Sequence, residues 1–339
     1  RFMLGASASW ELDLWGRVRA SAKRERLRAE AEAGNYHNVL LSLQASLAQQ
    51  YFAHCAAHTE LSLLQRSNDL AAENLEMQKA RLRMGQGVQA EVANAQLELQ
   101  NAATALEASR RNTGRLLHAI AELTETIPSE LSNLEPALLP GIPDIPVGLP
   151  SDLLALRPDL LAADRQLRSA ALQVGIRKAN FLPQISLVGG GGIASLKADN
   201  LFAADSTLFD LGPEVDIGIF QYRLRKAAVA QAKAQFREAA ANFKAAFLTA
   251  VKEVDDALLD ARSYSREITL QRQALQAATE AAEAARKRFD TGLTNYFDFI
   301  AAERVRLQTA ARESTLTSER LLATVRLIQA LGGSWPSGK

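Results

Sequence analysis

From Arg17 to Met84 the chain carries no proline and one interior glycine, Gly34. Proline breaks helices and glycine weakens them. A run of about 68 residues nearly free of both therefore reads as one uninterrupted helix. Tyr36, Leu40, Leu43, Leu47 and Tyr51 recur at helical steps of four, three, four and four. At 1.5 Å per residue such a helix is roughly 100 Å long. A second run, Leu224 to Asp290, lacks proline and glycine altogether. Neither run shows internal caps, so both are helices on the scale of coiled coils.

Each run ends at a glycine corner, and the two corners match at an offset of 207 residues. In RLRMGQGVQAEVANAQLELQ (81–100) and RFDTGLTNYFDFIAAERVRL (288–307), Arg81 aligns with Arg288 and Gly85 with Gly292. Glu91 falls on Asp298 and Ala95 on Ala302. Return helices follow, Val88 to Leu123 and Phe297 to Leu331, each half the length of its partner. Residues 124–150 hold six of the ten prolines and read as irregular connection. A half-length helix is expected from Ser151, a plausible N-cap, to about Asn180, crossing Pro158. Laid end to end with the first return helix, it matches one long helix.

Strand signals separate the half helix from the second long one. In TLFDLGPEVDIGIF, Leu211, Val215, Ile217 and Ile219 alternate with polar residues or glycine, a period of two. FLPQISLVGGGGIASL alternates less cleanly, so 181–220 reads as a β-hairpin with one apolar and one polar face. In WELDLWGRVR, Leu12 and Leu14 alternate in the same way before the first long helix. The chain thus holds one complete unit and the later part of another. The expected divisions are 1–16 as the end of a first hairpin and 17–123 as long helix, corner and return. The connection 124–150 follows, then half helix 151–180, hairpin 181–220, second helical hairpin 221–331 and tail 332–339. Aligning Arg17 with Arg223 places about 55 residues of the first unit upstream, so the chain reads as a fragment without a visible signal peptide.

Several function classes are excluded. Net charge is +1, and basic and aromatic residues do not interleave, which argues against nucleic acid. No window offers about 18 uninterrupted apolar residues, so no transmembrane helix is expected, although barrel strands leave a weaker trace. The single cysteine, Cys55, permits no internal disulfide. His54-Cys55-Ala56-Ala57-His58 sets two imidazoles at i and i+4, as in metal-binding helices, but lacks a third ligand and reads as packing. GGGGIA at 189–194, with Asp210 downstream, loosely fits a dinucleotide fingerprint, yet no helix follows it. No catalytic residues, cofactor site or metal site are expected. The basic run Arg17, Arg19, Lys23, Arg24, Arg26 and Arg28 echoes at Arg223, Arg225 and Lys226. It reads first as a solvated helix face, with lipid headgroups as the alternative.

Helices of this length beside strands with one lipid-compatible face suggest a membrane barrel continued by a helical tube. Unpaired strand edges would then pair with neighbouring copies. Trp10, Trp15, Phe181 and Phe220 sit at the strand–helix junctions, where they would form an interfacial girdle or cap an ordinary core. At this point the chain resembles the TolC-like outer-membrane channels of tripartite efflux pumps, in their OprM/NodT-type branch. The resemblance rests on WELDLWGRVR (10–19), LPSDLLALRPDLLAADRQL (149–167), FLPQISLVGG (181–190), the glycine corners and VRLIQALGGSW (325–335).

The resemblance implies a mostly helical fold, a homotrimer with a shared twelve-stranded β-barrel in the outer membrane of a Gram-negative bacterium. A helical tunnel would extend from it into the periplasm. It further implies passive, non-enzymatic conduction of drugs or small solutes. The implied partners are a periplasmic adaptor, an inner-membrane pump of the resistance–nodulation–division type and outer-membrane lipid. Branch members are lipoproteins anchored through an N-terminal cysteine, which Cys55 is not. The corners become periplasmic tips. Phe297 and Asp298, with Glu91 in the first repeat, match gate positions, and threefold symmetry would make Asp298 a ring of carboxylates. A second acidic layer is missing, since Ala301 and Asn94 stand there. Read without the resemblance, Asp298 and Glu91 are helix-start acids. Gly85, Gly87, Gly292, Thr294 and Tyr296 lie in turns suited to adaptor docking. The rival is a soluble long-helix scaffold that binds partner coiled coils.

Overall fold

The computed structural model describes residues 2–131, 157–196, 202, 204–294 and 296–333. In chain order the elements are strand β1 (Phe2–Glu11), helices α1 (Arg17–Arg83), α2 (Gln89–Leu123) and α3 (Pro158–Ala179), strands β2 (Gln184–Ser195) and β3 (Thr207–Asp216), and helices α4 (Tyr222–Asp290) and α5 (Tyr296–Ala330). Both long helices form without interruption, at 67 and 69 residues. The chain divides into two compact units, residues 1–38 with 158–249 and residues 39–157 with 250–339.

The first unit holds an antiparallel sheet in the order β1-β2-β3. Its register sorts the side chains. Trp10 lies opposite Leu187, Leu4 opposite Ile193, Leu211 opposite Gly189 and Val215 opposite Ile185. Since opposed residues share a face, one side carries Phe2, Leu4, Trp10, Leu187, Phe209 and Leu211. The other carries Ser7, Ser9, Glu11, Gln184, Asp210, Glu214 and Asp216, together with Met3, Val188 and Leu208. The apolar side is open, with Phe209 79% and Leu211 64% exposed.

The four-glycine run is a packing device in β2. A Cβ on Gly192 would lie 2.6 Å from the Leu4 carbonyl oxygen and 2.7 Å from the Gly5 Cα. Neighbouring backbone, not solvent, occupies the space a side chain would need.

Two expectations shift. The alternation through Leu12 and Leu14 is not strand, because β1 ends at Glu11. Asp13 turns instead and accepts the amides of Val18 at 2.9 Å and Arg19 at 3.0 Å, capping α1, with Gly16 at φ 72°. The half helix starts, among the described residues, at Pro158, where the missing amide costs nothing. Ser151 and most of the 124–150 connection lie outside the described residues. The lone interior glycine of α1 is explained by α3. A Cβ on Gly34 would sit 3.1 Å from both the Ala162 Cβ and the Pro158 carbonyl oxygen.

The second unit is built from two helical hairpins, the later part of α1 with α2 and the later part of α4 with α5. Ala257, Leu327 and Leu331 form a buried α4–α5 cluster, with Val254 and Leu258 against it. Burying each large side chain contributes about 1.5–3 kcal/mol. Arg157, also buried, donates to the Ala330 carbonyl oxygen at 2.8 Å and to Glu253 at 2.7 Å. It thereby closes the C-terminal end of α5 onto α4.

Candidate functional site: two glycine corners and their cross-links

Both corners lie in the second unit. Gly85 and Gly292 take φ of 72° and 74°, a left-handed conformation that ends a helix cheaply only at glycine. The amides then bond backward: Gly85 to Leu82 O at 3.0 Å and Gln86 to Arg81 O at 2.9 Å. Gly292 to Phe289 O at 2.9 Å and Leu293 to Arg288 O at 2.8 Å repeat the pattern. The internal repeat therefore reproduces one turn chemistry twice.

Within the first corner, Glu91 accepts the Val88 amide at 3.4 Å and faces Arg81 at 3.8 Å. Val88 has no side-chain oxygen to return the bond. Gly87 packs closely, since a Cβ there would lie 3.2 Å from the Leu82 amide nitrogen and 3.3 Å from a Glu91 carboxylate oxygen. In the second corner the Thr294 hydroxyl donates to Asp298, an exposed carboxylate in the first turn of α5. Phe289, Tyr296 and Phe299 form an aromatic cluster behind it, with centroids 5.2–6.5 Å apart.

Three contacts tie one corner to the other. The Arg81 guanidinium lies over the Phe297 ring, 5.1 Å from its centroid. The Tyr296 hydroxyl donates to Glu73 on α1 at 2.6 Å. Arg304 on α5 forms an ion pair with Glu98 on α2. Burial first, and then the bond to Glu73, push the Tyr296 phenol up to about 12. Glu303, one side away, is held below the usual carboxylate range chiefly by its hydrogen bond from Arg306.

Sequence reasoning selected Asp298, Phe297, Glu91, Thr294 and Tyr296. It missed their partners Arg81 and Glu73, and the nearby Arg304–Glu98 ion pair. Arg81 was visible as an aligned repeat position, but pairs 206 and 223 residues apart leave no local signal.

At the sheet end, Trp15 donates its indole N–H to the Pro183 carbonyl oxygen at 2.7 Å. Phe181 meets Tyr222 edge-on at 5.9 Å. Trp10 and Phe220 are exposed, at 65% and 101%.

The lookalike motifs resolve as packing. GGGGIA lies inside β2, its residues 189–193 paired on both sides. His54 is buried, bonds to the Thr113 backbone and leaves Nδ1 without a partner, while burial lowers its pKa. Among the described residues no three His, Cys, Asp or Glu side chains are grouped to hold a metal, and no helix is long and apolar enough to cross a membrane.

A sheet with one apolar and one polar face in one unit, and helical hairpins with glycine tips in the other, define a protein of membrane strands and long helices. The chain belongs to the outer membrane efflux protein family, whose model matches residues 1–125 and 149–333. The interruption falls on the proline-rich connection. The chain is 27% identical over 338 residues to the solvent efflux pump outer membrane protein SrpC of Pseudomonas putida, covering 99% of this chain and 72% of that one. It is 28% identical over 342 residues to the outer membrane protein OprJ of Pseudomonas aeruginosa, covering 98% and 70%. The solved outer-membrane channel OprN superposes with a TM-score of 0.89 at 27% identity, covering 98% of this chain and 75% of that one. The fold is TolC-like, and the protein is an outer-membrane efflux channel of the Gram-negative type. Its family comprises channels rather than enzymes. A soluble coiled-coil scaffold is not favoured by this kinship.

Proposed function

We propose that the chain works as a homotrimer, passively conducting drugs or other small solutes delivered by an inner-membrane pump through a periplasmic adaptor. The observation that carries this reading is the two-faced sheet. Its strands have 10, 12 and 10 residues, the length a tilted strand needs to span a bilayer. Three strands cannot close a barrel, and unpaired edges in lipid are costly, so neighbouring copies supply the closure. In this reading 1–16 and 181–220 are barrel segments, 17–123 and 221–331 tunnel hairpins, 151–180 a tunnel half helix and 124–150 an equatorial connection. Trp10, Trp15, Phe181 and Phe220 form the interfacial girdle facing outer-membrane lipid.

The tips form the gate. Threefold symmetry brings Asp298 into a ring that attracts cations and repels anions, with Phe297 as an apolar collar and Glu91 as the first-repeat counterpart. Tyr296–Glu73, Arg304–Glu98 and Arg81–Phe297 hold one hairpin against the other, and opening separates them. The turns with Gly85, Gly87, Gly292 and Thr294 receive the adaptor's helical tips. An N-terminal lipid anchor and a proton-driven pump of the resistance–nodulation–division type complete the proposal.

The first test is native mass in detergent. A trimer that appears only on detergent extraction supports the channel, and a monomer or dimer recovered without detergent sinks it. Asp298→Ala should then raise conductance and weaken cation preference in planar bilayers. Unchanged current and selectivity would remove Asp298 from the gate.

A further inference from the structure

The register sets Glu11 opposite Ser186 and Gln184 opposite Asp216. One end of the sheet therefore receives the start of α1, the end of α3 and the start of α4. The exposed rings of Trp10, Trp15, Phe220 and Tyr222 gather there.

Charge is sorted by level across that end. The strands contain Glu11, Asp210, Glu214 and Asp216 but no Lys or Arg. The helix starts invert this. Residues 17–28 and 222–233 hold ten Lys or Arg against one acid, Glu25.

That placement runs against the helix dipole, whose positive N-terminus favours acids. Elsewhere the molecule obeys the preference: Glu91, Asp159 and Asp298 occupy the first turns of α2, α3 and α5. The first turns of α1 and α4 contain no acid. On α1 the cost is partly offset within the chain, where Arg17 pairs with Glu11, Arg19 with Asp13 at 3.0 Å and Arg26 with Glu30 at 3.3 Å. On α4 no acid occurs between Asp216 and Glu238, and Arg223 and Lys226 are exposed. At α1 the capping Asp13 serves the helix start, whereas α4 begins with cations and no acid at all. A local rule kept at four helix starts and broken at the fifth points to anions supplied from outside.

We propose that these helix starts form a headgroup belt that binds the phosphates of anionic glycerophospholipids, in the leaflet facing the helices. The belt rests on the reading of the sheet as the membrane face. It continues that face: apolar strand surface, then aromatic rings, then cations within two or three helical turns. Long Lys and Arg side chains suit this boundary, because their stems lie along apolar surface while their heads reach phosphate. Exposed pairs such as Arg26–Glu30 are weak in water and screened by salt, so they exchange readily for phosphate.

The test is native mass spectrometry of the detergent-purified full chain, titrated with dioleoyl phosphatidylglycerol or dioleoyl phosphatidylcholine. Wild type should retain phosphatidylglycerol preferentially. Arg223→Gln and Lys226→Gln should each weaken that retention about fivefold. Lys23→Gln should do so independently from α1, while the distant Lys252→Gln should leave it unchanged. Equal retention of the two lipids by wild type overturns the belt. So does unchanged retention in the belt variants with altered ion selectivity, which would place these cations in the conduction path. The same spectra report the oligomer, so a failed channel reading shows as a wrong mass and a failed belt as lost lipid preference.

Discussion

Tyr296 on α5 donates its hydroxyl proton to Glu73 on α1 at 2.6 Å, across 223 residues of sequence. Glu73 is also within 3.6 Å of Arg66 on its own helix, so the acceptor is already oriented. A hydrogen bond to a charged group is worth about 1.5–3 kcal/mol, and partial exposure brings this nearer 1 kcal/mol. Tyr296→Phe should therefore shift the closed-to-open ratio about fivefold towards open, read as single-channel open probability. Unaltered gating would mean that the bond positions the corner without latching it.

The same bond sets a pH window. The Tyr296 phenol is raised from 10.0 to about 12, first by burial and then by Glu73. A raised folded-state value contributes stability that is complete below pH 10 and lost between pH 10 and 12. Conductance of the wild type should rise across that window, and Tyr296→Phe should lack the increment. Identical alkaline profiles would show that another group titrates.

At Gly192 the sheet has no room for a methyl group, since the added Cβ would meet Leu4 and Gly5 backbone below 3 Å. Backbone cannot rotate away as a side chain can. Gly192→Ala should destabilise the assembled barrel by about 1–3 kcal/mol. Gly212→Ala, with nothing within 4 Å of its Cβ, should be tolerated at the same polar face. The readout is the apparent melting temperature of the detergent-extracted protein, and equal values for both variants would refute the close-approach argument.

What the sequence made legible follows from period and punctuation. The two long helices, the glycine corners and the strand pair β2–β3 were readable because proline, glycine and alternation act locally. Leu12 and Leu14 misled because their alternation continues past the strand, while Asp13 captures the backbone to begin α1. Strand β1, at residues 2–11, falls within the 1–16 segment expected to end a first hairpin, but FMLGASASWE is small and weakly patterned, so only the internal repeat and not its own alternation marked it. The partners Glu73 and Arg81 of the corner residues, and the Arg304–Glu98 pair, are fixed by helix packing. Nothing in a single window of sequence encodes which of many charged helix positions will meet.

Arg157 offers a separate test of the α4–α5 end. Its guanidinium is buried and serves the Ala330 carbonyl and Glu253 together. Arg157→Met fills similar volume but abandons the carbonyl, at a cost of about 1–3 kcal/mol. Glu253, half exposed, regains water and adds little. The apparent melting temperature should fall, and Arg157→Lys should recover only part of the loss because a point charge cannot copy the fork. Full recovery with lysine would show that charge, not geometry, matters there.

His54 predicts acid sensitivity in the first hairpin. It is 4% exposed on α1, bonds to the Thr113 backbone of α2, and leaves Nδ1 without a partner. Burial, with a smaller push from His58, lowers its pKa below 6.5. The folded state then binds fewer protons than the unfolded state. The stability is complete above pH 6.5 and is lost as pH falls through the lowered value. Protonation would add a second donor with no acceptor in reach. Hydrogen exchange of α1 and α2 amides near residues 54 and 113 should accelerate below pH 6.5 relative to intrinsic rates, by more than in α4 and α5. His54→Gln, which cannot charge in this range, should abolish that difference. An acceleration that persists in His54→Gln would assign the sensitivity to the carboxylates instead.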